Sequence, residues 1–169
     1  MPRPRRKKKV EKTKFKFKST ERFLKPDPKY GSVVVAKFTN QIMYDGKKTV
    51  AQDIVYGAID VLAKRVKEKE PLDVFLQAIN NVKPNLEVRS RRVGGATYQV
   101  PMEISRKRQQ TLAIRVIVGN TRGKRGKPMA QRLADELHDA YQGQGSSVQW
   151  RDNTHKMAEA NKLFAHFAW

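Results

Sequence analysis

Residues 85–104, which read NLEVRSRRVGGATYQVPMEI, decide how the rest of the chain is arranged. Apolar and polar residues alternate with period two on both sides of Gly94 and Gly95, which is the pattern of a β-hairpin. The segments before and after it have helical periodicity instead. The hairpin is therefore interpreted as a two-stranded insertion in a helical protein.

The register of the hairpin is inferred from the rule that directly opposed residues of paired strands point to the same face. A two-residue turn at 94–95 sets Arg89 against Val100, which mixes charged and apolar groups on each face. A three-residue loop over residues 93–95 sets Val88 against Val100, and we favour this register. The apolar face then consists of Leu86, Val88, Tyr98, Val100 and Met102, and the cationic face of Arg89, Arg91, Thr97 and Gln99.

The tip of the hairpin, residues 91–95, is a candidate contact for a nucleic acid. An isolated two-stranded hairpin is at best marginally stable in water, so its base is expected to lie on the helices with the tip extending beyond them. Gly94 and Gly95 allow the backbone to approach a phosphate closely, while Arg91 and Arg92 supply charge. The alternative is a solvated hairpin with ordinary turn glycines.

Two helices are predicted before residue 70. The first begins at Ser32, and Gly46 is placed to end it as a left-handed cap. The second begins with a capping box formed by Thr49 and Gln52 and continues to about Arg65. Apolar residues at 3.6-residue spacing give each helix one inward face.

Four further helices complete a mainly α fold, predicted to be a six-helix bundle with the hairpin between the third and fourth helices. The third begins at Pro71 and is stopped by Pro84; the fourth is capped by Ser105 and runs toward Gly119. The fifth begins at Pro128 and ends in the stretch 143–147. A final helix from about Trp150 is expected to bury Met157, Ala160, Phe164 and Phe167.

The chain is strongly basic, with 36 Lys and Arg against 16 Asp and Glu and a net charge of +20. Residues 1–25 carry twelve of the cations and two of the acids, so half of the excess lies in a flexible N-terminal arm that we expect to become ordered on a partner. The other half lies in residues 26–169, interpreted as a single helical domain. A charge of this size indicates a polyanionic partner.

No pattern in the sequence indicates catalysis. The segment DGKKT at 45–49 lacks the upstream glycine of a phosphate-binding Walker loop, and the spacing of His138, His155 and His166 does not suit a shared metal. The chain has no cysteine, which excludes a thiol nucleophile and thiolate metal sites. We therefore expect no enzyme activity, cofactor, metal or small-molecule substrate, and no apolar run long enough for a membrane span.

Four segments together resemble the bacterial small-subunit ribosomal protein seven family: PDPKYGS at 26–32, DGKK at 45–48, SRRVGGATYQVP at 90–101 and MAEANKLFAHFAW at 157–169. The resemblance runs from residue 26 to residue 169 and includes the helix order and the hairpin position. It implies a cytoplasmic ribosomal protein that binds small-subunit rRNA and nucleates assembly of the head domain. It also implies a position near exit-site tRNA and mRNA, beside ribosomal proteins nine and eleven.

Matching positions imply which residues contact RNA. Contact with rRNA is implied for Arg3, Arg5, Arg6, Lys7, Lys29, Lys37, Lys47, Lys48, Arg91, Arg92, Gly94, Gly95, Arg108, Arg115, Arg122 and Lys127. Proximity to tRNA or mRNA is implied for Arg91, Arg92, Val93, Gly94, Gly95, Asn161 and Trp169. For Trp169, packing against the protein is the alternative to stacking on a base.

Two other functions are compatible with the composition. A DNA-bending architectural protein also combines a helical base with a basic β-arm, but such proteins often wedge an apolar residue between base steps, and this tip is Gly-Gly. An RNA-modifying enzyme needs an acid/base pair, a nucleophile or a cofactor loop, and the sequence supplies none.

Overall fold

The computed structural model describes residues 23–168, which form six α-helices, one antiparallel hairpin and a C-terminal 3-10 helix. The predicted class, a helical bundle with one hairpin between the third and fourth helices, is confirmed. The predicted arm lies outside the described residues except for positions 23–25. In chain order the elements are α1 (Val33–Ile42), α2 (Lys48–Arg65), α3 (Pro71–Val82), β1 (Leu86–Val93), β2 (Ala96–Glu103), α4 (Arg106–Gly123), α5 (Met129–Tyr141), α6 (Ser146–Ala160) and the 3-10 helix (Lys162–Phe167).

Helix α5 lies at the centre of the bundle and contacts α2, α3, α4 and α6. Its inward positions Leu133 and Leu137 are fully buried and four residues apart, as the helical period requires. Phe38 of α1 meets Phe75 of α3 edge to face, with ring centroids 5.2 Å apart, a favoured aromatic geometry. The core is therefore built from the apolar stripes that the sequence displays.

The turn between α1 and α2 differs from its prediction. Helix α1 ends at Ile42, and Gly46, predicted to cap it, lies in the following turn with a φ of +72° beside Asp45 at +50°. Helix α2 begins at Lys48, so Thr49 lies inside the helix and the predicted capping box does not form. The two left-handed residues reverse the chain within the turn, and this turn geometry sets where α2 begins.

Helix α4 continues past its predicted end at Gly119 and reaches Gly123. Near this end, the buried hydroxyl of Thr121 donates to the carbonyl of Ile117 within α4. The amide of Asn120 donates to the Ser147 hydroxyl of α6 at 3.0 Å, and this contact holds a helical turn that the glycines by themselves disfavour.

Helix α6 begins at Ser146, before its predicted start near Trp150 and inside the stretch 143–147 predicted to end the fifth helix, because a buried carboxylate accepts hydrogen bonds from its first turn. Glu136 is fully buried and accepts hydrogen bonds at 3.0 Å from the Ser146 hydroxyl and from the Ser147 backbone N–H. Lys124 lies 2.5 Å from the same carboxylate. Burial favours a raised pKa for Glu136, but the ammonium of Lys124 and the two serines outweigh it and hold the pKa below its ordinary value.

The end of the chain is not the single buried helix that was predicted. Helix α6 ends at Ala160, which is exposed, and Met157 is 53% exposed, so the prediction that both are core residues was wrong. The apolar residues Phe164 and Phe167 lie instead on the 3-10 helix. They pack against the hairpin, as the next section describes.

Candidate nucleic-acid interface

The hairpin closes with a two-residue turn, and the predicted three-residue loop is wrong. Val93 pairs with Ala96, which leaves only Gly94 and Gly95 in the turn. Their φ values are +56° and +91°, and a type I′ turn requires positive φ at both central positions. This turn matches the twist of the strands and is open only to residues such as glycine, so backbone geometry decided the register.

Each face of the hairpin therefore mixes cationic and apolar groups. Arg91 opposes Tyr98 and Arg89 opposes Val100. The Arg91 guanidinium donates to the backbone carbonyl of Phe167, so its apolar stem packs while its charged head is hydrogen-bonded. The predicted register was wrong because an arginine side chain is polar only at its guanidinium and not along its whole length. Tyr98, Val100 and Met102 share a face with Arg89 and Arg91, whereas Leu86, Val88, Thr97 and Gln99 point to the other.

An aromatic cluster holds the hairpin against the C-terminal segment. The Tyr98 ring lies 5.2 Å from the ring of Phe164 and 5.1 Å from that of Phe167, centroid to centroid. Asn161, predicted to lie near tRNA, follows α6 directly, and its amide donates to the Met157 carbonyl at 2.8 Å. The hairpin and the C-terminal segment thus form one continuous support for the tip.

The tip itself is open. Arg92 is exposed and makes no ion pair within residues 23–168, and Val93 beside it is partly buried. A Cβ placed on Gly94 or Gly95 would meet nothing within 4 Å. Because no part of the fold needs these positions to be small, the free space is available to an external backbone.

A second group of predicted contacts lies on α1 and α4. Lys37 lines a shallow depression of about 170 Å³ together with Thr111 and Ile114 of α4. Arg115 is exposed one turn after Thr111 and has no ion-pair partner in the described part of the chain. Farther along α4, the Arg122 guanidinium donates to the carbonyl of Ile42 at 3.2 Å, which joins the end of α4 to the end of α1.

The turn between α1 and α2 adds two lysines to this side. Lys47 and Lys48 are exposed and form no ion pair with any residue from 23 to 168. They stand at the start of α2, whose first turn has neither an acidic residue nor a side-chain cap. The free N–H groups of a helix start favour an anion, so lysine charge and backbone polarity act together here.

Three other predicted contacts are paired with carboxylates. Lys29 lies 3.2 Å from Asp60, and Lys127 lies 3.1 Å from Asp135, which also binds Arg65 at 2.6 Å. Periodicity cannot reveal these long-range pairs. Their contact with rRNA stays a prediction, since an ion pair lowers the charge that such a residue offers to a phosphate.

Arg108 is the third paired cation, and its pair fixes the base of the hairpin on α4. Two of its nitrogens donate to the Glu87 carboxylate, at 3.2 and 2.8 Å. The hydrogen bonds from Arg108, helped by Arg89, outweigh partial burial and lower the pKa of Glu87. The hairpin therefore has a defined position relative to the cations of α4.

Several predictions concern residues that the structure does not describe, or sites and membrane spans that were expected to be absent. Arg3, Arg5, Arg6, Lys7 and Trp169 lie outside residues 23–168. Within that range no group of His, Cys, Asp or Glu is arranged to hold a metal ion. No helix in the same range combines the length and apolar character needed to cross a bilayer.

One residue on this surface was missed by the sequence analysis. Tyr44 is 64% exposed in the turn before Lys47, and the Arg122 guanidinium lies 4.2 Å from its ring centroid. The signal was present, because an aromatic residue directly before DGKK places a ring beside two lysines.

Comparison with known proteins gives a consistent result. The family described as "Ribosomal protein S7p/S5e" matches residues 13–162. The chain is 54% identical over 152 residues to the "Small ribosomal subunit protein uS7" of Thermotoga neapolitana, covering 90% of this chain and 97% of that protein. It is 58% identical over 144 residues to the protein of the same name from Sorangium cellulosum, covering 85% and 92%. For the one from Protochlamydia amoebophila, the identity is 54% over 144 residues, again covering 85% and 92%.

Proposed function

Because the chain belongs to the ribosomal protein S7p/S5e family, we propose that it binds the RNA of the small ribosomal subunit and fixes the arrangement of its helices. It is a protein of the small ribosomal subunit, and its place is the cytoplasmic ribosome. The family consists of structural ribosomal proteins, which agrees with the prediction that the chain is not an enzyme.

The observation that carries the proposal is the position of the unpaired cations. Lys47 and Lys48 at the start of α2, Arg115 on α4 and Arg92 at the hairpin tip are exposed on elements that pack into one bundle. Since these elements hold their relative positions, the charges are presented at fixed distances. Fixed charges suit the phosphates of a folded RNA better than those of a flexible polyanion.

The mode of recognition follows from the shape of RNA. The major groove of an A-form helix is too deep and narrow for side chains to read base edges, so contacts to phosphates and shape dominate. Cations on α1, α4 and the turn would neutralise one set of phosphates and the hairpin tip another. Binding two or more RNA helices in this way fixes their mutual orientation, which is the physical content of assembly nucleation.

The finer proposal concerns the place of the protein in the subunit. It is a primary rRNA-binding protein that nucleates assembly of the head domain, near exit-site tRNA and mRNA and beside ribosomal proteins nine and eleven. The open Gly94–Gly95 turn and the exposed Arg92 are consistent with a tip that contacts an RNA strand. Asn161 directly follows α6, the helix against which the hairpin packs. Head assembly and the exit-site position rest on the family resemblance.

A charge-matched pair of variants tests RNA binding. Replacing Lys47 and Lys48 by Gln removes two cations at the start of α2, whereas replacing Lys64 and Lys67 by Gln removes two exposed cations at the other end, 17 helical residues or about 25 Å away. The change in net charge is the same, so only position differs. Affinity for small-subunit rRNA is measured by filter binding from 50 to 200 mM salt.

For the parent, engagement of about 6 to 10 phosphates predicts a loss of roughly 10³ to 10⁵ in affinity over that range. The Lys47/Lys48 variant should bind more weakly, with the slope of log affinity against log salt reduced by about 1.4 to 1.8, and the Lys64/Lys67 variant should change little. Equal effects of the two variants, or equal affinity for duplex DNA, would contradict the proposal. Protection mapping then tests the finer statement, because head nucleation requires protection confined to one RNA domain.

A further inference from the structure

We propose that Tyr44 and Arg122 form a stacking platform for one unpaired RNA base, a site that rests on the proposed function and adds a base contact to it. Tyr44 is 64% exposed as a residue, although aromatic residues usually bury most of their surface. One face of the ring is covered by the Arg122 guanidinium, which lies 4.2 Å from the centroid. The opposite face is the part of the ring that a base would cover.

The platform is rigid on the side of the arginine. The Arg122 guanidinium donates to the carbonyl of Gln41 at 3.3 Å and to that of Ile42 at 3.2 Å, so its plane is held at the end of α1. A fixed guanidinium limits the rotamers open to Tyr44 and holds the ring in place before a ligand arrives. Preorganisation of this kind reduces the entropy lost on binding.

Stability of the fold does not explain the exposed ring. Arg122 already joins α4 to α1 through the two carbonyls, and Tyr44 makes no other ring contact and no side-chain hydrogen bond within residues 23–168. Tyr44 is nevertheless 64% exposed, so it is available to an external planar group.

The chemistry around the ring favours a nucleotide over a hydrophobic partner. Lys47 and Lys48 are exposed three and four residues after Tyr44, at the uncapped start of α2. A phosphate bound there would lie within a short reach of a base on the ring. Single-stranded bases are commonly recognised by stacking on aromatic side chains and on arginine planes, with little dependence on which base is present.

A substitution series at Tyr44 separates stacking from packing and from charge. Tyr44→Phe and Tyr44→Trp keep a ring, whereas Tyr44→Leu keeps apolar bulk without one. Affinity for small-subunit rRNA transcripts should be close to that of the parent for Phe and Trp and about 5- to 150-fold weaker for Leu, the range for one stacked base. The salt slope should not change in any of the three, because none removes a charge.

A second measurement identifies the base and does not depend on the stability of one variant. Unpaired nucleotides of the transcript are replaced in turn by abasic nucleotides, and each RNA is titrated with the parent and with Tyr44→Leu. One abasic position should weaken binding of the parent and have little further effect in the Leu variant, because the stacked pair is already lost.

The outcomes distinguish this inference from the proposed function. If the parent binds rRNA and Tyr44→Leu binds it equally well, or if every abasic effect adds to that of Leu, the platform is wrong while RNA binding stands. If the parent itself does not bind rRNA above duplex DNA, the proposed function is wrong and the platform fails with it. Circular dichroism confirms that the variants keep the helical fold.

Discussion

The replacement Glu136→Gln tests whether the buried carboxylate positions the start of α6. In the parent one carboxylate oxygen accepts from the Ser146 hydroxyl and from the backbone and hydroxyl of Ser147. The other lies 2.5 Å from Lys124 and also lies 3.2 Å from the Ser146 hydroxyl. Glutamine retains the first oxygen but presents an N–H₂ donor to the Lys124 ammonium. The substitution therefore removes one charged contact and keeps the shape of the side chain.

The expected cost is about 2–3 kcal/mol in the free energy of unfolding. Hydrogen bonds to charged groups contribute roughly 1.5–3 kcal/mol, and breaking a fully buried ion pair costs about 3–5 kcal/mol. The lower range applies because the Lys124 side chain is 39% exposed and can turn to water. For a domain of this size the shift in Tm is about 5–10 °C.

The pH dependence gives a second signature. The pKa of Glu136 is lowered in the folded protein, so its stabilisation is fully present above the ordinary value of 4.5 and is lost as the pH falls through the folded value. The difference between parent and Glu136→Gln should be largest near pH 7 and shrink at acid pH. Urea unfolding followed by circular dichroism at several pH values measures it.

The matched control is Glu159→Gln, the same change at an exposed position of α6. It should alter the unfolding free energy by less than about 0.5 kcal/mol. The reasoning would be refuted if Glu136→Gln were as stable as this control at pH 7, since the buried carboxylate would then contribute nothing to the junction of α4, α5 and α6.

Two further predictions concern the hairpin. Gly95→Ala should destabilise the hairpin by about 1–2 kcal/mol because φ is +91° at this position. Gly94→Asn should cost much less, because asparagine tolerates the φ of +56° at position 94. Hydrogen exchange of the strand amides compares the two variants, and equal protection in both would contradict the type I′ turn. Glu87→Gln breaks the pair with Arg108 and should cost about 0.5–1.5 kcal/mol near pH 7, since both side chains are partly exposed. The pKa of Glu87 is lowered, so that cost should fade as the pH drops below its ordinary value of 4.5, and a cost that does not decline at all as the pH falls would exclude the ion pair as its source.

The helices were predictable because their signals are local. The stripe through Ala51, Val55, Ala58 and Leu62 and the prolines at 71 and 128 depend on neighbours within four residues, and the structure confirms the helices that they indicate. Where a prediction failed, a competing interaction decided the outcome. The two-residue turn of Gly94 and Gly95 overruled matching of polarity across the strands. Arg91 is accommodated beside Tyr98 because its guanidinium donates a hydrogen bond to the distant Phe167 carbonyl.

The basic character of the candidate site could be predicted from the composition, but the arrangement of its cations could not. The excess of Lys and Arg indicates a polyanionic partner, and SRRVGG with MAEANK indicates the family. Which cations are available depends on ion pairs such as Lys29 with Asp60 and Lys127 with Asp135, in which the partners are 31 and 8 residues apart. A local sequence pattern does not show which residues the fold brings together across such separations.

The sequence by itself determined the helical class, the place of the hairpin and the basic character, because periodicity, turn residues and charge are properties of short segments. Only the tertiary structure decided the hydrogen bond from Arg91 to Phe167, the start of α6 on Glu136, and the stacking of Arg122 on Tyr44. Each of these joins groups that are distant along the chain. Their geometry exists only after the bundle has brought the helices together, so no local pattern can specify it.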